Sequence, residues 1–127
     1  MASILIVDDD DGMVETLADI LTVRSYTVST ANSGEAAIAE VGRTPFDVVL
    51  MDVRMPGLDG VRTLEAMKRR DPGLKVILMT AFTREWLIGA ARKADAIAVV
   101  PKPLDLDATV GLVDRVVRSD RDVSGGA

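Results

Sequence analysis

The chain has 127 residues, of which 48% are hydrophobic and 28% charged, values that predict one globular domain. Its formal net charge of −5 at pH 7 argues against a nucleic-acid surface within these residues, because phosphates would on average be repelled. Cysteine and histidine are absent, which excludes disulfides, thiolate nucleophiles, histidine bases and a phosphohistidine of the chain's own.

Short apolar runs alternate with amphipathic stretches along the chain. In chain order, the predicted strands are Ser3–Val7, Tyr26–Thr30, Phe46–Met51, Leu74–Met79 and Ile97–Val100. The predicted helices between and after them are Gly12–Arg24, Gly34–Gly42, Leu58–Arg70, Arg84–Lys93 and Asp105–Arg118. Strands that are apolar on both faces are typical of a parallel sheet covered by helices on both sides. The pattern therefore predicts an α/β domain with a single five-stranded parallel sheet and five alternating helices.

Residues 1–118 are expected to form this domain. Residues 119–127 are polar and end in glycines, so we expect a flexible tail or the start of a linker. Helix starts are marked by acceptor side chains, with Asp11 expected to cap the first helix and Ser33 the second. Asp10 is expected to be a solvated neighbour of Asp11.

No stretch approaches the ~20 consecutive apolar residues of a membrane span. The first apolar run, Ile4–Val7, is short and leads into acids, unlike a secretory signal peptide. We therefore expect a cytoplasmic protein that has no contact with a membrane. Only four aromatic residues are present, so the core is expected to be aliphatic.

Polar side chains close four of the predicted strands. Asp8 and Asp9 follow the first strand, Asp52 the third, Thr80 the fourth and Lys102 the fifth. Polar residues often do no more than end a strand, and a single aspartate would mean little. A parallel sheet, however, brings the carboxyl ends of its strands to one edge, where ligand sites form. The combination of acidic, hydroxyl and cationic groups therefore indicates a site.

The chemistry of such a site follows from its charges. Two carboxylates ~4 Å apart repel each other by ~4 kcal/mol at an effective dielectric constant near 20. Three converging carboxylates therefore require a cation or the uptake of a proton. Oxygen ligands without histidine or cysteine suit Mg²⁺, which also accepts phosphate oxygens. A metal-bound carboxylate beside a lysine is suited to accept a phosphoryl group.

The chain resembles the receiver-domain family of bacterial two-component systems over residues 3–118. The resemblance is carried by the segments Ile4–Asp10, Asp47–Gly60, Met79–Ala81 and Pro101–Pro103, which read ILIVDDD, DVVLMDVRMPGLDG, MTA and PKP. It implies a flavodoxin-like, doubly wound sheet with strand order 2-1-3-4-5. It also implies a phosphorylation-dependent signalling switch rather than an enzyme acting on other substrates.

The resemblance implies a role for each site residue. Asp52 resembles the phosphoacceptor, and Asp8 and Asp9 resemble the pair that organises Mg²⁺, with Asp9 favoured for direct ligation. The backbone carbonyl of Arg54 would be a further metal ligand.

Two more residues complete the implied site. Thr80 resembles the hydroxyl that moves to hydrogen-bond the phosphoryl group. Lys102 resembles the lysine that pairs first with Asp52 and then with the phosphate. The implied phosphodonor is a histidine kinase or phosphotransfer protein, the output domain or target is unspecified, and a weak homodimer is possible.

Two other functions remain open at this point. A degenerate receiver would be a protein-binding module that works without phosphorylation. A phosphohydrolase of the haloacid-dehalogenase type would also use an aspartyl phosphate, but it needs a second aspartate two residues after the nucleophile. Here that position is Arg54, which disfavours the phosphohydrolase.

The chain departs from the family three residues before the lysine, where Val99 replaces the usual tyrosine or phenylalanine. Valine is stiff and small, so the usual coupling between threonine and aromatic residue is in doubt, and Phe82 is a weak candidate to replace it. Ile97 and Ala98 stand where many dimerising receivers have an acidic pair. Trp86 is expected either to be buried or to contact a partner.

Overall fold

The computed structural model describes residues 2–52, 60–80 and 96–126, without the side chains of 60–61 and 119–126. The strands are β1 (Ser3–Val7), β2 (Thr27–Ala31), β3 (Val48–Asp52), β4 (Val76–Thr80) and β5 (Ala98–Pro101). The helices are α1 (Asp11–Val23), α2 (Gly34–Arg43), α3 (Gly60–Arg70) and α4 (Leu106–Gly126). The predicted helix Arg84–Lys93 lies outside the described residues, as do Arg54, Phe82 and Trp86.

The five strands form one parallel sheet in the order β2-β1-β3-β4-β5. This confirms the α/β class and the strand order that the sequence implied. The register pairs Val7 with Met51 and Asp52 with Met79, so the carboxyl ends of the central strands lie close to one level. Side chains that follow these strands therefore meet at a single edge.

Each face of the sheet carries an aliphatic core, because successive strand residues point to opposite faces. With α2 and α3, one face buries Leu5, Val7, Val49, Met51, Val76 and Leu78. With α1 and α4, the other face buries Ile4, Ile6, Val48, Leu50, Ile77 and Met79. The prediction of helices on both sides of the sheet is confirmed.

Several strands begin one or two residues later than their apolar runs. The third strand was predicted to start at Phe46, but β3 starts at Val48. Phe46 is buried against the α2–α3 side of the sheet. Asp47 is fastened to Ser3 by two hydrogen bonds, its backbone N–H donating to the Ser3 carbonyl at 2.8 Å and its carboxylate accepting from the Ser3 N–H at 2.7 Å. The hydrophobic run therefore marks the residues that are buried, and these begin earlier in the chain than the residues that pair in the sheet.

The cap of the first helix was predicted one residue too late. The N-cap is Asp10, whose carboxylate accepts a hydrogen bond from the backbone N–H of Met13 at 3.1 Å. Asp10 has the extended backbone that a cap requires, and Asp11 is the first helical residue, where a negative charge still favours the helix N-terminus. The Ser33 cap of α2 is confirmed, with the N–H of Ala36 donating to its hydroxyl at 3.1 Å.

The last helix continues past its predicted end at Arg118 to Gly126. Residues 119–126 contain no proline, and extending a helix that has already formed adds one hydrogen bond for each residue fixed. The placement of a domain boundary near residue 118 stays a prediction. Within the described ranges, no helix combines the length and the apolar character needed to cross a bilayer.

Candidate functional site

Four of the predicted site residues meet at the carboxyl edge of the sheet. Asp8 directly follows β1, Asp52 ends β3, Thr80 ends β4 and Lys102 directly follows β5. Asp8, Asp52 and Thr80 are each only 1% exposed. Such burial is rare for charged residues, so the two aspartates require partners in the protein. Asp9 lies beside them and is exposed to solvent.

Lys102 joins the two buried carboxylates. Its ammonium Nζ donates to Asp8 Oδ2 at 2.7 Å and to Asp52 Oδ2 at 3.1 Å. The pairing with Asp52 was expected, but the shorter contact, to Asp8, was not. The side chain of Lys102 is 17% exposed, while those of Asp8 and Asp52 are almost completely buried.

The electrostatics of this group keep Lys102 charged. Burial alone would lower the pKa of Lys102, because it disfavours the ammonium form. The hydrogen bonds to Asp8 and Asp52 and the charges of both carboxylates outweigh burial and raise the pKa of Lys102 above its ordinary value of 10.5. At neutral pH the site therefore contains a fixed cation.

Backbone hydrogen bonds hold these side chains in place. The backbone N–H of Asp8 donates to the Ala31 carbonyl at 3.1 Å, and the Asp8 carboxylate accepts from the N–H of Asp10 at 3.0 Å. The N–H of Lys102 donates to the carbonyl of Thr80 at 2.7 Å. These bonds fix the end of β1 to that of β2, and the end of β5 to that of β4.

Three carboxylates converge in this arrangement. Asp8, Asp9 and Asp52 each offer one oxygen, and these oxygens all lie within 4.8 Å of one another. Among the described residues, these three carboxylates and the Lys102 ammonium together carry a formal charge of −2. A divalent cation would neutralise that surplus, and oxygen donors on an edge open to water at Asp9 suit Mg²⁺. The donor set therefore fits the predicted metal, while the Arg54 carbonyl lies outside the described residues.

Comparison with protein families identifies this arrangement. The family model of the response regulator receiver domain matches residues 4–114. The chain belongs to the response regulator receiver domain family. Members are signalling domains of two-component systems rather than classical enzymes, and phosphoaspartate and Mg²⁺ are general features of the family.

Known proteins of this kind are similar over nearly the whole chain. The transcriptional regulatory protein ZraR of Salmonella typhimurium is 37% identical over 119 residues, which are 94% of this chain and 27% of that protein. The chain thus spans about a quarter of the length of this curated relative.

Two solved structures extend the comparison. A CheY-like receiver domain protein of Methanospirillum hungatei superimposes with a TM-score of 0.92 at 24% identity, covering 96% of this chain and 98% of that one, and shows the fold. The response regulator TrrA of Thermotoga maritima, in complex with Mg²⁺ and BeF, has a TM-score of 0.82 at 28% identity, covering 91% and 99%.

Proposed function

We propose that this receiver domain is a switch in which Asp52 accepts a phosphoryl group from a phosphohistidine of a partner histidine kinase or phosphotransfer protein. The observation that carries the proposal is the Lys102 ammonium, held between the buried carboxylates of Asp8 and Asp52. Since these 127 residues contain no histidine, the phosphohistidine must lie outside them.

In the proposed transfer, a carboxylate oxygen of Asp52 attacks the phosphorus atom, and the phosphorus–nitrogen bond of the donor breaks. The histidine leaves with the electron pair, and Asp52 becomes an acyl phosphate. Lys102, 3.1 Å from Asp52 in the resting site, would pair with a phosphoryl oxygen. The hydroxyl of Thr80, which is buried at the end of the neighbouring strand, would donate a hydrogen bond to a second phosphoryl oxygen.

Asp8, Asp9, Asp52 and the backbone carbonyl of Arg54 would hold Mg²⁺. The bound ion would offset the charge of the carboxylates and of the phosphoryl oxygens during transfer. The crowded oxygens of the three aspartates support this ligand set, as does the Mg²⁺ and BeF complex of the Thermotoga maritima relative.

The signal would end when water hydrolyses the acyl phosphate and restores the Asp52 carboxylate. While phosphorylated, the domain would present a changed surface to a target protein or an attached output domain. The attached output domain is suggested by ZraR, a similar but longer protein that is named as a transcriptional regulatory protein. We place this exchange in the cytoplasm, where kinases have access to ATP.

The test is phosphorylation by a small donor such as acetyl phosphate in the presence of Mg²⁺, followed by intact-protein mass spectrometry. We expect one added phosphoryl group on the wild-type protein and none on Asp52→Asn. Asp19→Asn, which changes an exposed carboxylate on α1, is the matched control and should be labelled like wild type. Equal labelling of Asp52→Asn would assign another acceptor, and an unlabelled wild type would favour the degenerate, phosphorylation-independent receiver.

A further inference from the structure

A second polar cluster lies away from the phosphorylation site, where α4 meets α1 and β2. The carboxylate of Asp114 in α4 accepts hydrogen bonds from the guanidinium of Arg24, at the end of α1, and from the hydroxyl of Tyr26, just before β2. We call these three residues the α4 junction. Its partners are 90 and 88 residues apart in sequence, so it ties the last helix to the first part of the chain.

Packing beside the α4 junction is incomplete. A cleft of about 170 Å³ lies between α1 and α4 and is lined by Arg24 and Asp114 together with Ile20, Val110 and other residues. A side chain added at Gly111, which also lines this cleft, would meet no atom within 4 Å. Apolar contacts do not fill this space, so the polar contacts of the α4 junction contribute to setting how α4 lies against α1.

A short segment of chain joins the phosphorylation site to the start of α4. Lys102 binds Asp8 and Asp52, and three residues later Asp105 accepts a hydrogen bond from the N–H of Ala108 at 3.0 Å in the first turn of α4. A phosphoryl group carries about −1.5 to −2 charges at neutral pH, and on Asp52 it would replace the single charge of the carboxylate. That charge would draw the Lys102 ammonium from Asp8 towards the phosphoryl group, and only two residues separate Lys102 from Asp105.

We propose that the α4 junction is a latch: it holds α4 in the position that accompanies unphosphorylated Asp52, and phosphorylation of Asp52 loosens it through Lys102. This inference rests on the proposed function and adds the route by which that site would be read at the last helix. Coupling between two sites is reciprocal. If binding of a phosphoryl group at Asp52 favours the broken junction, then a broken junction favours binding at Asp52 by the same free energy.

Tyr26 makes the latch measurable, because it is the single tyrosine of the chain. With isotope-labelled tyrosine, one NMR signal reports the environment of its hydroxyl. Mg²⁺ with beryllium fluoride serves as a stable phosphoryl mimic, and fluorine NMR reports its binding independently. We expect the tyrosine signal of the wild type to move, when the mimic binds, towards its position in Asp114→Asn, whose junction is broken beforehand.

Reciprocity gives the second measurement. Asp114→Asn should bind the mimic at least about fivefold more tightly than wild type, the lower end of usual coupling between sites. Asp107→Asn, which changes an exposed carboxylate on the same cleft, is the control and should bind like wild type. Tyr26→Phe should change affinity in the same direction as Asp114→Asn.

The outcomes separate the two proposals. In one outcome, the mimic binds, as shown by the fluorine signals, while the tyrosine signal does not move. In another, the wild type and Asp114→Asn bind it with affinities within about twofold of each other. Either result would overturn the latch and leave the proposed function standing. Absence of bound fluorine in the wild type would overturn the proposed function and the latch with it. A movement of the tyrosine signal that persists in Asp52→Asn would place the mimic elsewhere and would also overturn the latch.

Discussion

Asp8, Asp9, Asp52 and Lys102 form a strand-end site at the carboxyl edge of the sheet. This site and the α4 junction both join an acid to a cation from a distant part of the chain, yet their charge balances differ. At the strand-end site, the described residues are three carboxylates and one ammonium, with a formal charge of −2. At the α4 junction, the single carboxylate of Asp114 meets one guanidinium and a hydroxyl, and its charge is matched. A matched pair is satisfied within the protein, whereas a surplus calls for a ligand from outside.

Burial sharpens the difference. The side chains of Asp8 and Asp52 are 0% and 2% exposed, so neither can rely on water, and removing their cation leaves charge in a site of low dielectric constant. Arg24 in the α4 junction is 49% exposed, where ion pairs typically contribute under about 1 kcal/mol. Substitutions should therefore have unequal effects at the two places.

The largest effect is expected from Lys102→Met, which keeps most of the apolar stem and removes the charge. In the presence of a metal chelator at neutral pH, we expect the free energy of unfolding to fall by about 3 kcal/mol, since two buried carboxylates lose their shared partner. Urea unfolding followed by circular dichroism measures this loss. Added Mg²⁺ should stabilise the variant more than the wild type, because a site without Lys102 has a larger charge surplus.

Arg115→Met is the matched control, since it removes an exposed cation from α4. We expect its stability to remain close to that of wild type, because exposed charges contribute little. A loss below about 1 kcal/mol for Lys102→Met, similar to that of Arg115→Met, would show that the buried carboxylates do not depend on the lysine and would remove the contrast drawn above.

The two regions also differ in how far the sequence could predict them. The strand-end residues were predicted because each closes an apolar run, and a parallel sheet gathers such ends at one edge. The α4 junction carries no comparable local signal: Arg24 and Asp114 are ordinary surface residues in their helices until the fold brings them together. Its one hint, a tyrosine beside a strand, does not specify a partner.

Smaller errors have the same origin. Whether Asp10 or Asp11 caps α1 depends on which backbone is extended, and composition cannot distinguish adjacent aspartates. Likewise, Lys102 was expected beside Asp52, but the shorter distance to Asp8 depends on details of side-chain placement. Residue types and strand ends located the site, while its internal pairing required coordinates.

An intermediate effect is expected from Asp114→Asn in the α4 junction. Burial alone would raise the pKa of Asp114, but the Tyr26 hydroxyl and the Arg24 guanidinium, with a further contribution from Arg118, hold it below its usual 3.8. A carboxyl whose pKa is lower in the folded state stabilises the fold above its unfolded pKa, and this stabilisation is lost as pH falls through the folded value.

The stability of wild type relative to Asp114→Asn should therefore be constant above about pH 5 and shrink below the ordinary carboxyl pKa. At neutral pH we expect a difference of about 1 kcal/mol, typical of hydrogen bonds at a half-exposed site. Thermal unfolding of both proteins between acidic and neutral pH measures it, with Asp107→Asn as the control. A difference that grows as the pH falls would contradict the assigned interactions.

The smallest effect on stability is expected within the acidic run itself, from Asp9→Ala. Asp9 is exposed and lies near the carboxylates of Asp8 and Asp52, whose combined negative charge is larger than the charge of Lys102. Removing the Asp9 carboxylate should therefore relieve repulsion, and the metal-free variant should be no less stable than wild type. Its neighbour provides the contrast: Asp10→Ala removes the α1 cap and should lower the free energy of unfolding by about 1 kcal/mol.

Mg²⁺ affinity, measured by calorimetry, should fall clearly in Asp9→Ala and change much less in Asp10→Ala. Adjacent aspartates would then separate cleanly, one serving the ligand and the other the helix. A clear loss of metal-free stability in Asp9→Ala would mean that its carboxylate has a stabilising partner, and the surplus of charge at this edge would no longer explain why the site needs a cation.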